Sequence, residues 1–305
     1  MEHFLSLADW ESSDLIDLIE QAVFLKREYR TGGNRQMLAN KSLGMVFQKP
    51  SLRTRVSFEM AMKHCGGHAL YLGPQEIGLG KRESISDIAR VLGSYVDIIM
   101  ARVFDHEHVE QLAKWSPVPI INGLSDFNHP CQAMADVLTI YEEFGELEGL
   151  QVAYLGDSNN VTTSLAFAAA KFGFQLVVAS PEGYKMDAET IKRARLLGGS
   201  QDTVIETNDP MQAVQDADVI YTDTWTSMGQ EEESAQRREI FPPYQVNQRI
   251  IVNAPSHAIV MHCLPAHRGE EITDSIADGP QSRLFEQAEN RLHAQKAILV
   301  RLLTR

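Results

Sequence analysis

What most constrains this chain is a rhythm that runs through it twice: a short apolar segment, then a longer amphipathic one. LGMVF (43–47) reads as a buried strand, and the VSFEMAMKH that follows has helical spacing. HALYL (68–72), DIIMAR (97–102) and VPIIN (118–122) are further strand candidates, with SISDIARVLGSYV as a helix between the first two. The rhythm restarts with QVAYLGD (151–157), FQLVVAS (174–180), TVIET (203–207), DVIYTDT (218–224) and AIVMHCL (258–264). Helical stretches such as LAFAAAKFG and AETIKRARLLG separate them. Strands alternating with helices imply parallel sheets covered by helices. The expected fold is α/β with two domains, each a mostly parallel sheet flanked by helices, joined by interdomain helices. HPCQAMADVLTIYEEFG (129–145) is a long helix suited to that joining. The first domain is expected over 1–147 and the second over 148–283. The terminal helix, 284–305, has an apolar stripe and is expected to pack back on the first domain.

A chain of 305 residues has room for two such cores. Its formal charge of −13 argues against nucleic acid and anionic membranes as partners, since both need broad positive surfaces. No apolar run approaches a membrane span, and the start MEHFLSLADWESSD lacks a signal-peptide layout. Cys65, Cys131 and Cys263 are sparse and show no CxxC spacing, which fits a reducing compartment and not a disulfide framework or zinc site. The expected location is therefore the cytoplasm.

A few cations can still make a local pocket for a phosphorylated small molecule. QKPSLRTRVSFE (48–59) follows a strand and opens a helix. Pro50 ends the strand and Ser51 is placed to cap the helix. The free N–H groups and positive dipole of a helix start make an anion site, to which Ser51 and Thr54 add hydroxyls and Arg53 a planar charged fork. Of Arg53 and Arg55, one is expected to enter the site and the other to pair with an acid. The segment is not a Walker loop, because GxxxxGK[ST] is absent. Nor does YLGDSNN carry GxGxxG, so a dinucleotide site is not expected. His129, just before Pro130, sits at another helix start, where a positive end favours a neutral imidazole.

Together these segments resemble the aspartate/ornithine carbamoyltransferase family. Its phosphate motif S-T-R-T-R is matched by Ser51-Leu52-Arg53-Thr54-Arg55 at all but the second position, where Leu52 would act through its backbone N–H. HPCQ (129–132), Arg102 at a strand end, HCLP (262–265) and Arg291 in ENRLH complete the set in order, and the likeness runs the length of the chain. The resemblance implies that Ser51, Leu52, Arg53 and Thr54 hold the phosphate of carbamoyl phosphate. It implies that Thr54, Arg102 and His129 polarise the carbonyl, and that Gln132 and the Leu264 carbonyl take the carbamoyl NH2, with Arg291 in support. YTDTWTSMGQE (221–231) resembles the D-x-x-x-S-M-G element of the ornithine-using members. There Asp223 would bind the α-ammonium, Ser227 and Met228 would belong to a closing loop, and Asn160 would hold the amino-acid head group. Cys263 and Asp223 are the candidates for relieving the δ-amine of its proton.

The implied reaction moves a carbamoyl group from carbamoyl phosphate to the δ-amine of L-ornithine, giving L-citrulline and phosphate, in arginine metabolism. No cofactor and no metal are implied. The implied assembly is a homotrimer or a set of trimers. One segment departs from the pattern. In LGPQEIGLGKRESISD (72–87), aligning on Arg82-Glu83-Ser84 puts Gly78 where many ornithine-using members present Gln or His to a neighbouring subunit. Lys81 or Arg82 is then expected to replace that contact with charge. The competing readings are a carbamoyltransferase for a modified ornithine or another amine, and a catalytically silent regulatory relative.

Overall fold

The computed structural model describes residues 2–80, 82–226 and 231–304. The chain divides into two units: Met1–Leu138 with Glu289–Arg305, and Thr139–Ala288. Both changes of unit fall inside helices, Pro130–Phe144 and Leu284–Leu303. Each unit holds one sheet, and every strand pairing in both is parallel.

In the first unit the strands are β1 (Ser42–Phe47), β2 (His68–Leu72), β3 (Ile98–Arg102) and β4 (Ile120–Leu124), in the order β2-β1-β3-β4. β1 and β3 are central and almost wholly buried, which is why they read as unbroken apolar runs. Val46, Ile99, Ala101 and Ile120 pack with Ile88, Val109 and Leu112 from the covering helices. β4 begins two residues later than the run VPIIN suggests. Pro119 has no N–H for the ladder, so pairing opens with Ile99 opposite Ile120, and Pro119 contributes only its carbonyl, to the Ile99 N–H (3.0 Å). The helix Ser12–Arg30 buries Leu15, Leu18, Ile19, Ala22 and Leu25, a stripe at helical spacing. The C-terminal segment belongs to this unit through polar ties as well as apolar ones. Lys296 donates to Asn34 (2.6 Å), Lys26 donates to Asn290 (2.7 Å), and Arg301 pairs with Asp14.

In the second unit β5 (Gln151–Leu155), β6 (Gln175–Ala179), β7 (Val204–Thr207), β8 (Val219–Thr222) and β9 (Ile259–His262) run in the order β7-β6-β5-β8-β9. One face packs Ala153, Leu155, Val177, Ile220 and Val260 against Val214, Tyr244 and Ile276. Among the described residues no helix is long and apolar enough to cross a membrane.

Candidate functional site

In an open parallel sheet, ligands bind beyond the carboxyl ends of the strands where the strand order reverses. In the first unit that point lies between β1 and β3. The register pairs Phe47 with Arg102, and the Gln48 N–H donates to the Arg102 carbonyl (2.8 Å). The segment after β1 and the buried Arg102 are thereby set side by side. Ser51 caps the helix Leu52–His64, its Oγ accepting from the Thr54 N–H (3.3 Å). The first-turn N–H groups of Leu52 and Arg53 have no intrahelical acceptor by construction of a helix. Leu52 is 76% exposed, and its apolar side chain has no donor to offer an anion, so only its backbone N–H could serve one. Arg55 turns away from the cap, 3.8 Å from Glu59 and 4.2 Å from the centre of the Tyr71 ring. Arg53 makes no ion pair among the described residues.

Arg291 arrives from the terminal helix and ties two of the predicted residues together. Its Nη1 donates to Gln132 Oε1 and its Nη2 to Thr54 Oγ1, both at 3.0 Å. Gln132 in turn donates from Nε2 to the buried Asp136 (2.8 Å), which fixes which end of the amide is oxygen. A Gln oxygen has two lone pairs, so Gln132 Oε1 can accept from a ligand NH2 while still holding Arg291. His129 is delivered by a turn in which Ser125 N–H donates to the Asn128 carbonyl (3.0 Å) and Asn128 Nδ2 to the Leu5 carbonyl (3.1 Å). Burial first, then the charges of Arg291, Arg102 and Lys49, hold the imidazole well below its ordinary value. The ring is neutral at pH 7, and burial rather than the helix end is the main reason.

Lys49 is a residue that the sequence reading passed over. It is half-buried, with Nζ 4.9 Å from the centre of the Phe104 ring. Burial and then Arg102 lower its ammonium to about 8, with Asp126 pulling the other way. The only sequence signal was its place two residues before Ser51.

In the second unit the order reverses between β5 and β8. The register sets Leu155 beside Thr222 and Thr222 beside His262, so the segments after β5, β8 and β9 emerge as neighbours. Asp223 follows β8 and is oriented by three donors. They are Asn159 Nδ2 to Oδ2 (2.9 Å), and the Thr224 N–H (2.8 Å) and Cys263 thiol (3.0 Å) to Oδ1. Asn159 is also the cap of the helix Asn160–Phe172, accepting from the Val161 N–H (2.8 Å). The structure thus brings Asp223 and Cys263 together and adds Asn159, the first Asn of the pair. Asn160 is the first residue of the helix. Ser227 and Met228 lie outside the described residues.

Two further networks brace this end of the sheet. Arg237 Nη1 donates to Asp157 Oδ2 and to the Trp225 carbonyl, both at 2.6 Å, and all three residues are buried. Leu264 has a left-handed backbone (φ 59°) and a cis bond to Pro265, and its N–H donates to His262 Nδ1 (2.9 Å). His262 Nε2 therefore carries the ring proton and donates it to Glu271 (3.0 Å). Asp223, His262 and Cys263 place three possible metal ligands within 4.8 Å, but both His262 nitrogens are committed to these bonds.

Gly78 ends the short helix Pro74–Ile77 with a left-handed backbone (φ 49°), and its carbonyl accepts from the Arg82 N–H (2.9 Å). A Cβ at Gly78 would lie 2.9 Å from Arg82 Cβ, so a Gln or His there would be strained and crowded. Arg82 is exposed, and Lys81 lies outside the described residues.

Residues 2–142 match the family model described as aspartate/ornithine carbamoyltransferase, carbamoyl-P binding domain, and residues 148–302 match its Asp/Orn binding domain. The ornithine carbamoyltransferase of Pyrococcus abyssi is 54% identical over 303 residues, 98% of this chain and 95% of the relative. The anabolic ornithine carbamoyltransferase of Pyrococcus furiosus is 54% identical over 299 residues, 97% of this chain and 94% of the relative. Among solved structures, ornithine carbamoyltransferase from Pyrococcus furiosus superposes with a TM-score of 0.96 at 52% identity, covering 99% and 97% of the two chains. Ornithine transcarbamoylase from Giardia lamblia does so with a TM-score of 0.89 at 34% identity, covering 99% and 97%.

Proposed function

The chain belongs to the aspartate/ornithine carbamoyltransferase family, and from that premise we propose that it transfers the carbamoyl group of carbamoyl phosphate to the δ-amine of L-ornithine, giving L-citrulline and phosphate. The observation that carries this reading is the guanidinium of Arg291 held between Thr54 and Gln132, one a phosphate-motif residue and the other a carbamoyl-recognition residue.

Ser51, Leu52, Arg53 and Thr54 take the phosphate through backbone N–H groups, hydroxyls and the Arg53 fork. The δ-amine lone pair attacks the carbonyl carbon, and the carbonyl oxygen gains negative charge. Thr54, Arg102 and neutral His129 donate to that oxygen. A neutral imidazole suits this role, since its N–H donates without a compensating acid nearby. Gln132 and the Leu264 carbonyl receive the carbamoyl NH2. Collapse of the intermediate breaks the bond to phosphate, and the departing phosphate takes the amine proton. Asp223, held by Asn159, meets the α-ammonium, with Asn160, Ser227 and Met228 completing the amino-acid subsite. The incoming δ-ammonium gives up its proton to the Asp223 carboxylate or to Cys263 once that thiol has ionised to the thiolate.

The same reading makes the protein a cytoplasmic homotrimer, or an assembly of trimers, serving arginine biosynthesis, with no nucleic-acid or membrane partner. The word anabolic in the name of the Pyrococcus furiosus relative supports the citrulline-forming direction. Gly78, Lys81 and Arg82 would face a neighbouring subunit in that trimer. If Lys81→Ala and Arg82→Ala each leave the KM for carbamoyl phosphate unchanged, the cross-subunit role is wrong.

The direct test is colorimetric detection of citrulline from carbamoyl phosphate with ornithine, putrescine, aspartate or N-acetylornithine. Product from ornithine alone is expected. Product from another amine and none from ornithine would overturn the substrate, and binding of carbamoyl phosphate with no turnover would point to a silent relative.

A further inference from the structure

The turn that follows β9 gathers three side chains whose chemistry the reaction does not use. His267, Glu270 and Glu271 offer one nitrogen and two carboxylates with ligand atoms all within 4.8 Å of one another. Glu271 is not a surface acid, for its side chain is 0% exposed. Its Oε1 accepts from His262 Nε2 (3.0 Å) and from the His267 N–H (2.5 Å). Its Oε2 is enclosed and has no hydrogen-bond partner among the described residues. A carboxylate oxygen removed from water and given no donor is costly, so the fold has left a place for positive charge. The facing group is His267 Nδ1, 4.0 Å away on a half-exposed ring.

We propose that His267 Nδ1, Glu271 Oε2 and a Glu270 carboxylate oxygen form a binding site for a divalent transition-metal cation of the zinc type. One imidazole and two carboxylates suit Zn2+, Co2+ or Ni2+, whereas Ca2+ and Mg2+ favour sets of oxygen alone. Ligands at about 2.1 Å from an ion stand at most about 4.2 Å apart. The 4.0 Å between His267 and Glu271 therefore admits an ion after a small rotation of the exposed ring. Glu270 reaches it by leaving Arg238, to which it is paired at 2.9 Å. That pair is open to solvent on the Arg238 side, and such pairs are given up at little cost.

The site would touch turnover without holding substrate. The carboxylate that binds the ion also orients His262, whose other nitrogen holds the Leu264 N–H. The influence on Leu264 rests on the function proposed above; the binding of the ion does not.

Titration of the purified protein with Co2+, followed by visible absorption, tests the proposal. The expected result is d–d bands that appear without thiolate-to-cobalt charge transfer, and affinity at least about tenfold weaker in His267→Ala and in Glu270→Gln. His267 is exposed and Glu270 half-buried, so both variants should fold, which their circular dichroism and citrulline production would check. No bands at millimolar Co2+, or bands that persist unchanged in both variants, would overturn it. Charge transfer lost on Cys263→Ser would place the ion at Asp223 and Cys263 instead, and would overturn it equally. Absence of citrulline with intact Co2+ binding would count against the proposed reaction and leave the metal site standing.

Discussion

The two sheets place their candidate residues by the same topological rule and then fill the position with opposite charge. Beyond β1 and β3 stand Arg102, Arg291 and Lys49 around a neutral histidine, with Arg53 on the helix that follows β1. Beyond β5, β8 and β9 stand Asp157, Asp223 and Glu271, with amides, a thiol and one paired arginine among them. A parallel α/β sheet thus supplies a location and no preference for a ligand. The preference comes from which side chains terminate the central strands. The two ends also differ in how they are assembled. The first relies on Arg291, 237 residues from Thr54, while the second draws Asn159, Asp223 and Cys263 from three adjacent strand ends.

If the division is functional, substitutions at the two ends should separate in the kinetics. The largest effect is expected from Arg102→Ala, which in the proposed reaction removes a donor to the developing oxyanion. kcat should fall by roughly 10²–10³ while ornithine binding persists. A near-normal kcat would remove Arg102 from the chemistry. Next, Arg291→Ala takes a charged donor from both Thr54 and Gln132. Such hydrogen bonds contribute about 1.5–3 kcal/mol, so the KM for carbamoyl phosphate should rise roughly 10–100-fold, with that for ornithine little changed. Asp223→Asn keeps one acceptor but loses the charge and sets an NH2 donor against a neighbouring donor. It should raise the KM for ornithine about tenfold and leave that for carbamoyl phosphate alone. A rise in both constants would break the comparison.

An effect of another kind concerns stability and belongs to the first unit. His129 lies well below the ordinary histidine value, and His293 is pushed down to about 3, by burial and then by Lys296 and Lys26. Unfolded, both would take up a proton near 6.5, so below that pH the unfolded chain binds more protons than the folded one. Stability is full above pH 6.5 and is lost as pH falls below it, for His293 down to about 3, at up to about 1.4 kcal/mol per pH unit for each histidine. Urea midpoints at pH 7 and pH 5 measure this, and His293→Gln should flatten part of the slope.

How much of this was written in the chain depends on the range of the interaction. The cap at Ser51 was readable because cap, proline and arginines fall within one turn of helix. The alternation of strand and helix was readable because burial on both faces leaves an apolar run at each strand. Arg291 could be named only by resemblance, since nothing in ENRLH announces a partner near residue 54. The sequence reading named Asn160 for the amino-acid head group and did not foresee that Asn159 holds Asp223. Which amide reaches Asp223 is decided by which residue caps the helix, a backbone matter. Gly78 reads as a departure in sequence and as a necessity in space, because its left-handed backbone leaves no room for a side chain beside Arg82. Lys49 was missed because burial, not its neighbours in sequence, sets its charge.

The late position of Arg291 has a consequence for how the protein comes into being. Synthesis runs from the N-terminus, and domains fold as they emerge. The phosphate motif and β1 leave the ribosome first, and the guanidinium that joins Thr54 to Gln132 follows 237 residues after Thr54. A nascent or truncated chain would carry the cap and the arginines of SLRTR without that clamp. It would be a weak receptor for a reactive acyl phosphate until Arg291 had emerged and docked.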